Sequence, residues 1–334
     1  NVYFASRSWW NAGTICIDYM EVKVNYNNDP TWWNTSFEKR RNITINNSLN
    51  SNTLINFQVP INLTYDSDMQ TDFSDLRFVN STDNELNYWI ENKTNSQWVY
   101  VWVKDNVIPT GNSIIYVYYK NTSIVSSTSN ATTTMDFWDD FNDGNYDGWT
   151  VWEGSPSASN GYLTTSASDT RMSYPATNFN STQNRRWRYE IWRPTATEWQ
   201  NSFCFICNFT DYQNGIRIEL QHGWNYNQLW NRTTSGAGIF LTLQNAGNLS
   251  ADTWHKVKVT RYDNNWTFYI DNYSNTTTSQ QSENFNYLVW FAGYGLANYR
   301  IDNISVSKYV YPEPTYVIGE EETIPNAPQY SNII

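Results

Sequence analysis

Apolar and polar residues alternate with a period of two along most of this chain, and no stretch of helical length carries a 3.6-residue apolar period. Side chains that return to the same side every second residue belong to strands lying on a core. The class is therefore all-β. Residues 42–45, 57–63, 98–103, 113–119, 187–192, 216–220, 255–261 and 266–271 alternate or are rich in β-branched and aromatic side chains. In Arg186-Trp187-Arg188-Tyr189-Glu190-Ile191 the apolar groups fall on one face and the charges on the other. Turn clusters such as Asp143-Gly144-Asn145 and Asp263-Asn264-Asn265 separate the runs. The 334 residues include 18 Trp, 25 Tyr and 15 Phe, enough for packed cores. A chain of this length divides into two domains, or into one large β-domain and a smaller one.

With 32 acidic and 21 basic residues the net charge is −11. The overall field repels a nucleic-acid backbone, and nucleic acid is not expected as a partner. No apolar run reaches the roughly 18–20 residues of a membrane helix, and no segment has the charged-then-apolar layout of a signal peptide. The first residue is Asn1 rather than Met, which reads as a processed chain or a part of a longer one. Cys204 and Cys207 stand three apart in an apparent strand, on opposite faces, so they are not expected to bridge. Together with Cys16 they read as buried free thiols.

The chain holds 46 Asn and 65 Ser plus Thr. Random placement would give about nine Asn-x-Ser/Thr acceptors. Sixteen are present, at Asn34, Asn42, Asn46, Asn62, Asn80, Asn92, Asn121, Asn130, Asn180, Asn208, Asn231, Asn248, Asn265, Asn272, Asn275 and Asn303. Composition accounts for over half of them, and the excess points to N-glycans on an extracellular, cell-surface protein.

Two distant segments look alike. VYFAS (residues 2–6) followed by IDYMEVKV (17–24) echoes VWFAG (289–293) followed by IDNISVSK (301–308). Each reads as a strand, a loop and a final strand beginning Ile-Asp. Residues 1–26 are accordingly expected to be an orphan strand pair, the end of a jelly roll that begins outside this chain. Two strands do not make a stable domain, so they would pack on a neighbouring module or another copy. Beyond Pro312 the Pro-punctuated residues 312–334 read as an extended linker or tail.

From Trp32, the run WWNTSFEKRRNITINNS, then DLRFVNSTDNELNYWIE (75–91) and WVYVWVKDNVIPTGNSIIYVYYKN (98–121), resembles domain-of-unknown-function family 2341. The resemblance covers about 30–134 and implies a small β-sandwich domain of secreted bacterial and archaeal surface proteins. From Met135 the chain resembles a concanavalin A-like or laminin-G-like jelly roll, over about 135–311. DFWDDFNDGNYDGW (136–149) looks like its opening strand and turn, TWHKVKVTRYDNNWTFYIDN (253–272) like its central hairpin, and YRIDNISVSK (299–308) like its closing strand. Asn272 departs from the Gly that usually follows the hairpin Asp, which leaves the turn type open.

Little catalytic chemistry is visible. A retaining glycosidase needs two carboxylates about 5.5 Å apart, yet Glu219 stands alone in its strand and Glu190 has Arg188 and Trp192 as same-face neighbours. His222 and His255 are too few for a His-based metal site or triad, and His255 reads as a packing residue. No enzyme is expected. Asp139, Asp140 and Asp143 in the opening strand and turn, with Asp302 in the closing strand, form an oxygen set suited to structural calcium. Trp224, Tyr226 and Trp230 in a run rich in amide side chains form a candidate glycan-binding surface.

These features predict an extracellular structural subunit of a glycosylated surface filament, sheath or repeat array. Strand complementation would assemble it, with 1–25 or 315–334 contacting another copy or an adjacent repeat. The alternative is a carbohydrate-binding adhesin or lectin module of a larger surface protein, with surface glycans as partners.

Overall fold

The computed structural model describes residues 32–165, 170–176, 183–193, 201–208, 211–220, 227–233, 236–243, 249–278, 286–292 and 298–325. The expected strand pair at 1–26 lies outside them. Six strands open the described chain: β1 (Lys39–Asn46), β2 (Leu54–Thr64), β3 (Arg77–Asn80), β4 (Glu85–Thr94), β5 (Trp98–Ile108) and β6 (Asn112–Tyr119). A single helical turn follows, α1 (Ala131–Thr134), whose N-cap Asn130 accepts a hydrogen bond from the Thr133 N–H.

Next come β7 (Phe137–Asp139), β8 (Thr150–Glu153), β9 (Ser157–Ser159), β10 (Tyr162–Thr164), β11 (Thr170–Pro175), β12 (Arg185–Arg193), β13 (Asn201–Asn208) and β14 (Asp211–Leu220). The series continues through β15 (Asn227–Thr233), β16 (Gly236–Leu243), β17 (Thr253–Tyr262), β18 (Asn265–Ile270), β19 (Tyr273–Thr278), β20 (Tyr287–Ala292) and β21 (Arg300–Lys308), and ends with β22 (Thr315–Thr323). The all-β class holds, and each strand expected from alternation lies within one of these elements, save Asp271, which falls in the turn after β18. Cys204 and Cys207 both lie on β13.

The first domain is one seven-stranded antiparallel sheet, ordered β2-β5-β4-β3-β6-β1-β22, folded over a single core. Ile43, Ile45, Ile115 and Val117 from one side meet Phe57, Val59, Ile61, Val99, Val101 and Val103 from the other. Its last strand corrects an expectation. Residues 315–323 are not linker but an edge strand, paired with β1 so that Arg40 faces Glu322 and Arg41 faces Glu321. Tyr316 and Ile318 pack against the core, and the Tyr316 hydroxyl accepts the Asn62 N–H at 2.8 Å, linking β22 to the opposite edge strand β2. The jelly roll is thus inserted between β6 and β22. The C-terminal contact foreseen for another copy is made within the chain over these nine residues.

The inserted domain stacks two sheets, ordered β19-β18-β17-β12-β21-β10-β9, with β7 also on β21, and β16-β15-β14-β13-β20-β11-β8. Trp187, Tyr189 and Ile191 of β12 enter its core with Val257, Val259, Trp266, Ile301 and Trp290. Burial on this scale is the main force holding such a sandwich together. The echoed segments fall on β20 and β21, central strands of opposite sheets, each with neighbours on both sides.

Polar contacts lock the domains to each other. Gln58 is fully buried (0 % exposed): its amide donates to the Thr134 carbonyl and Asp136, both at 3.0 Å, and accepts the Lys308 N–H at 3.0 Å. Asp136 pairs with Arg185 at 3.4 Å. Val310 continues from the jelly roll into the first core.

Candidate functional site

β5 is apolar on both faces. Val99, Val101 and Val103 fill the first core while Trp98, Tyr100 and Trp102 alternate onto the other side. A strand that is apolar on two faces serves two surfaces. The second surface faces the outward side of β12, where Arg186, Arg188 and Glu190 alternate with the buried Trp187, Tyr189 and Ile191. Trp102 takes the Arg186 and Arg188 guanidinium groups against its ring, at 5.1 and 4.8 Å. Glu91 accepts from Arg188 at 2.7 Å and from the Trp102 indole, and Arg186 is paired with Glu313.

Beside these contacts the domains part into a groove of about 660 Å³, within the usual range for ligand sites. Aromatic side chains come from both domains: Trp89, Trp98 and Tyr100 from the first, Trp138 and Tyr269 from the second. Trp89 and Trp138 meet at 4.4 Å between ring centres. Hydrogen-bonding groups are interleaved: Asn62, Asn92 and Asn303, and the charged Glu190, Lys256, Lys258 and Asp271. Burial, with Glu91 beside it, pushes the Tyr100 phenol up. Burial, with Arg186 and Arg188 nearby, pulls the Lys258 ammonium down. The two glutamates of the groove are spent on cations, Glu91 on Arg188 at 2.7 Å and Glu190 on Lys256 at 3.7 Å.

Asp271 is held at the groove edge in the left-handed region, at φ 48°, which settles the conformation at the hairpin Asp. It accepts from the Lys256 N–H at 2.9 Å and meets His255 Nδ1 at 2.7 Å. His255 Nε2 faces the Ser250 carbonyl at 2.9 Å, so both ring nitrogens face acceptors and His255 clamps the hairpin turn to the strand before it. It is buried, as expected for a packing residue, but it packs through hydrogen bonds.

Trp224 and Tyr226 lie outside the described residues, and Trp230 is on β15, in the other sheet of the jelly roll. The missed groove residues did have a signal, the aromatic outward half of Trp98-Val99-Tyr100-Val101-Trp102, whose inward half already supplies a core.

The calcium set is partly assembled. β7 and β21 are neighbours, with Asp139 opposite Ile304. Burial raises the Asp139 carboxyl to about 6, and burial with Glu190, Asp140 and Asp139 nearby raises Asp302 to about 7. The oxygens already serve local bonds: Asp139 accepts from Phe141 and Trp149, Asp140 from Asn142, Asp143 from Asn145 and Asp302 from Asn303. Among the described residues, the group of three carboxylates with oxygens within 4.8 Å of one another is instead Asp66, Asp68 and Glu321. Lys39, Arg41 and Lys120 neutralise that group, and it ties β22 down.

Of the expected acceptor asparagines, Asn46, Asn62, Asn92, Asn130, Asn265, Asn272 and Asn275 are exposed, and Asn34, Asn42, Asn80 and Asn303 are half-buried. Asn121 is buried, at 7 % exposed. The side chains of Asn180, Asn208, Asn231 and Asn248 lie outside the described residues.

Among solved structures the chain is similar to the carbohydrate-binding module CBM66 from Bacillus subtilis, at 11 % identity and a TM-score of 0.40, covering 49 % of this chain and 98 % of that one. It is also similar to the VIP36 exoplasmic/lumenal domain in its Ca2+/Man3GlcNAc-bound form, at 11 % identity and a TM-score of 0.43, covering 52 % and 94 %. A third similarity is to the CBM2 module of the Lactobacillus casei BL23 phage J-1 evolved Dit, at 14 % identity and a TM-score of 0.40, covering 56 % and 96 %. No curated protein matches. No helix among the described residues is long and apolar enough to cross a membrane. Residues 72–155 match the family Domain of unknown function (DUF2341), and residues 201–308, further along the chain, match the Laminin G domain.

Proposed function

We propose that this chain is a non-catalytic carbohydrate-binding module of an extracellular surface protein, and that it reads saccharides in the groove between its two domains. The observation that carries this reading is the groove itself. Aromatic residues from two domains line a cleft of about 660 Å³ in which amide and charged groups are interleaved. Sugar rings present apolar C–H faces and polar rims, so stacking surfaces beside hydrogen-bonding groups match them chemically. Fold alone would not carry the reading, because sandwiches of this kind host unrelated functions. Pairing of both groove glutamates with cations supports binding rather than hydrolysis.

The test is an oligosaccharide array with the intact chain, followed by Trp138→Ala and Trp98→Ala. Each variant is expected to lower affinity at least tenfold while the far-ultraviolet spectrum stays that of the parent. A flat array, or variants that bind as the parent does, would remove the reading.

The filament-subunit reading keeps one observation in its favour. β20 and β21 each need partners on both sides, so segments resembling them at 2–6 and 17–24 would need flanking strands from another copy or module. Electron microscopy of native material tests it; isolated particles of one chain would sink it.

A further inference from the structure

Resting on the saccharide-binding reading, we propose that the ligand is an acidic oligosaccharide, with one anionic group on Lys258 in the groove and another on Arg300 at a second subsite on the same sheet face. The argument begins with the cations that face outward from β12, β17 and β21. Arg186 is paired with Glu313, Arg188 with Glu91, and Lys256 with Glu190. Lys258 and Arg300 alone among these have no carboxylate within 4 Å among the described residues, in a chain where acids outnumber bases 32 to 21.

Both are held by aromatic rings instead. The Lys258 ammonium lies 3.8 Å from the Tyr269 ring centre, and Tyr269 lines the groove. Its lowered proton affinity marks an ammonium that an incoming anion would stabilise. The Arg300 guanidinium is stacked between Trp192 at 4.0 Å and Tyr162 at 4.6 Å, and its Nε is buried with no hydrogen-bond partner. Such a clamp fixes the plane of the guanidinium, and its planar fork matches a carboxylate or sulfate through two parallel bonds.

Register places the two cations on one surface. Trp192 faces Arg300 on one side and Trp254 on the other, while Arg188 faces Lys258. Four residues along β12 and one strand to either side separate Lys258 from Arg300 by roughly 16 Å on a flat sheet. A ligand that reaches both is longer than one sugar. Glu190 and Asp302 occupy the row between them and face each other across the pair. There the ligand presents neutral hydroxyls, which donate to carboxylates, so its charged units are separated by an uncharged one.

The experiment is an array that carries neutral oligosaccharides beside uronic acid and sulfated ones, with carboxyl-reduced counterparts of the uronates as controls. Acidic members are expected to bind at least tenfold more tightly than their reduced counterparts, and the advantage should shrink as salt rises. Arg300→Gln and Lys258→Gln should each remove most of that advantage, bringing the acidic members down toward the affinity of their reduced counterparts. The salt titration of the parent chain gives the same answer should either variant fold poorly. Equal binding of acidic and reduced members overturns this inference and leaves the saccharide reading standing. An array on which nothing binds overturns both.

Discussion

Arg40 and Arg300 occupy aromatic clamps of the same kind and differ in what lies at the open side. Arg40 stands 4.6 Å from the Trp32 ring centre and 4.4 Å from that of Tyr116. It then donates to the Tyr118 hydroxyl at 2.9 Å and to Glu322 at 2.8 Å, at 3 % exposure. Arg300 has the two rings and, among the described residues, no acid. The first is a rivet that fastens β1 to β22, strands whose paired residues lie some 280 positions apart. The second is a preorganised cation whose partner comes from outside. An aromatic clamp does not by itself separate structural from binding cations; the carboxylate does.

The largest effect that could break this contrast is expected at the rivet. Arg40→Met removes the donors to the Tyr118 hydroxyl and to Glu322, a carboxylate 37 % exposed, at a cost of about 2 kcal/mol. Urea unfolding of the intact chain reads it directly; a loss below about 0.5 kcal/mol would mean that β22 is held some other way. Gly319→Val comes next. A side chain at Gly319 meets the Asn42 amide, which must rotate out of the way, at about 1 kcal/mol by the same measurement.

A smaller, pH-dependent effect is expected from Asp302 and Asp139. Burial holds them near 7 and 6 in the folded chain, whereas both ionise near 4 when unfolded. Their protonated forms are therefore favoured by folding. The contribution is complete below about pH 4 and is lost as pH rises through 6 to 7. The melting temperature should fall between pH 5 and pH 8, and Asp302→Asn should flatten the upper part of that fall. With calcium added, a cation seated between β7 and β21 would abolish the fall; an unchanged slope counts against calcium there. The smallest stability change belongs to Arg300→Gln, within about 0.5 kcal/mol of the parent. A large destabilisation there would make Arg300 a second rivet and end the contrast.

Much of the fold was legible because strand patterning is local. Trp187, Tyr189 and Ile191 point inward as their alternation required, and the expected likenesses to DUF2341 and laminin G were found in the expected order. β22 was not recognised. Its neighbouring prolines and three consecutive glutamates resemble a linker, and only two of its side chains, Tyr316 and Ile318, reach the core. A signal was nevertheless present in Lys39-Arg40-Arg41 near the start and Glu320-Glu321-Glu322 near the end, runs of opposite charge that the structure sets side by side. The groove was harder to see. Trp98 and Tyr100 lie in a run that reads simply as one strand, and Glu190 falls on the charged face of another.

By itself, the sequence determined the all-β class, the order of the two modules and the inward face of each recognised strand, because a period of two is decided by neighbouring residues. Only the tertiary structure decided which outward faces meet. It set Arg186 and Arg188 against the Trp102 ring, opened a groove beside them, returned β22 to a sheet begun almost 300 residues earlier, and left Lys258 and Arg300 without an acid partner among the described residues. Pairings over such separations leave little periodic trace in the chain, since their energy arises only once both surfaces exist.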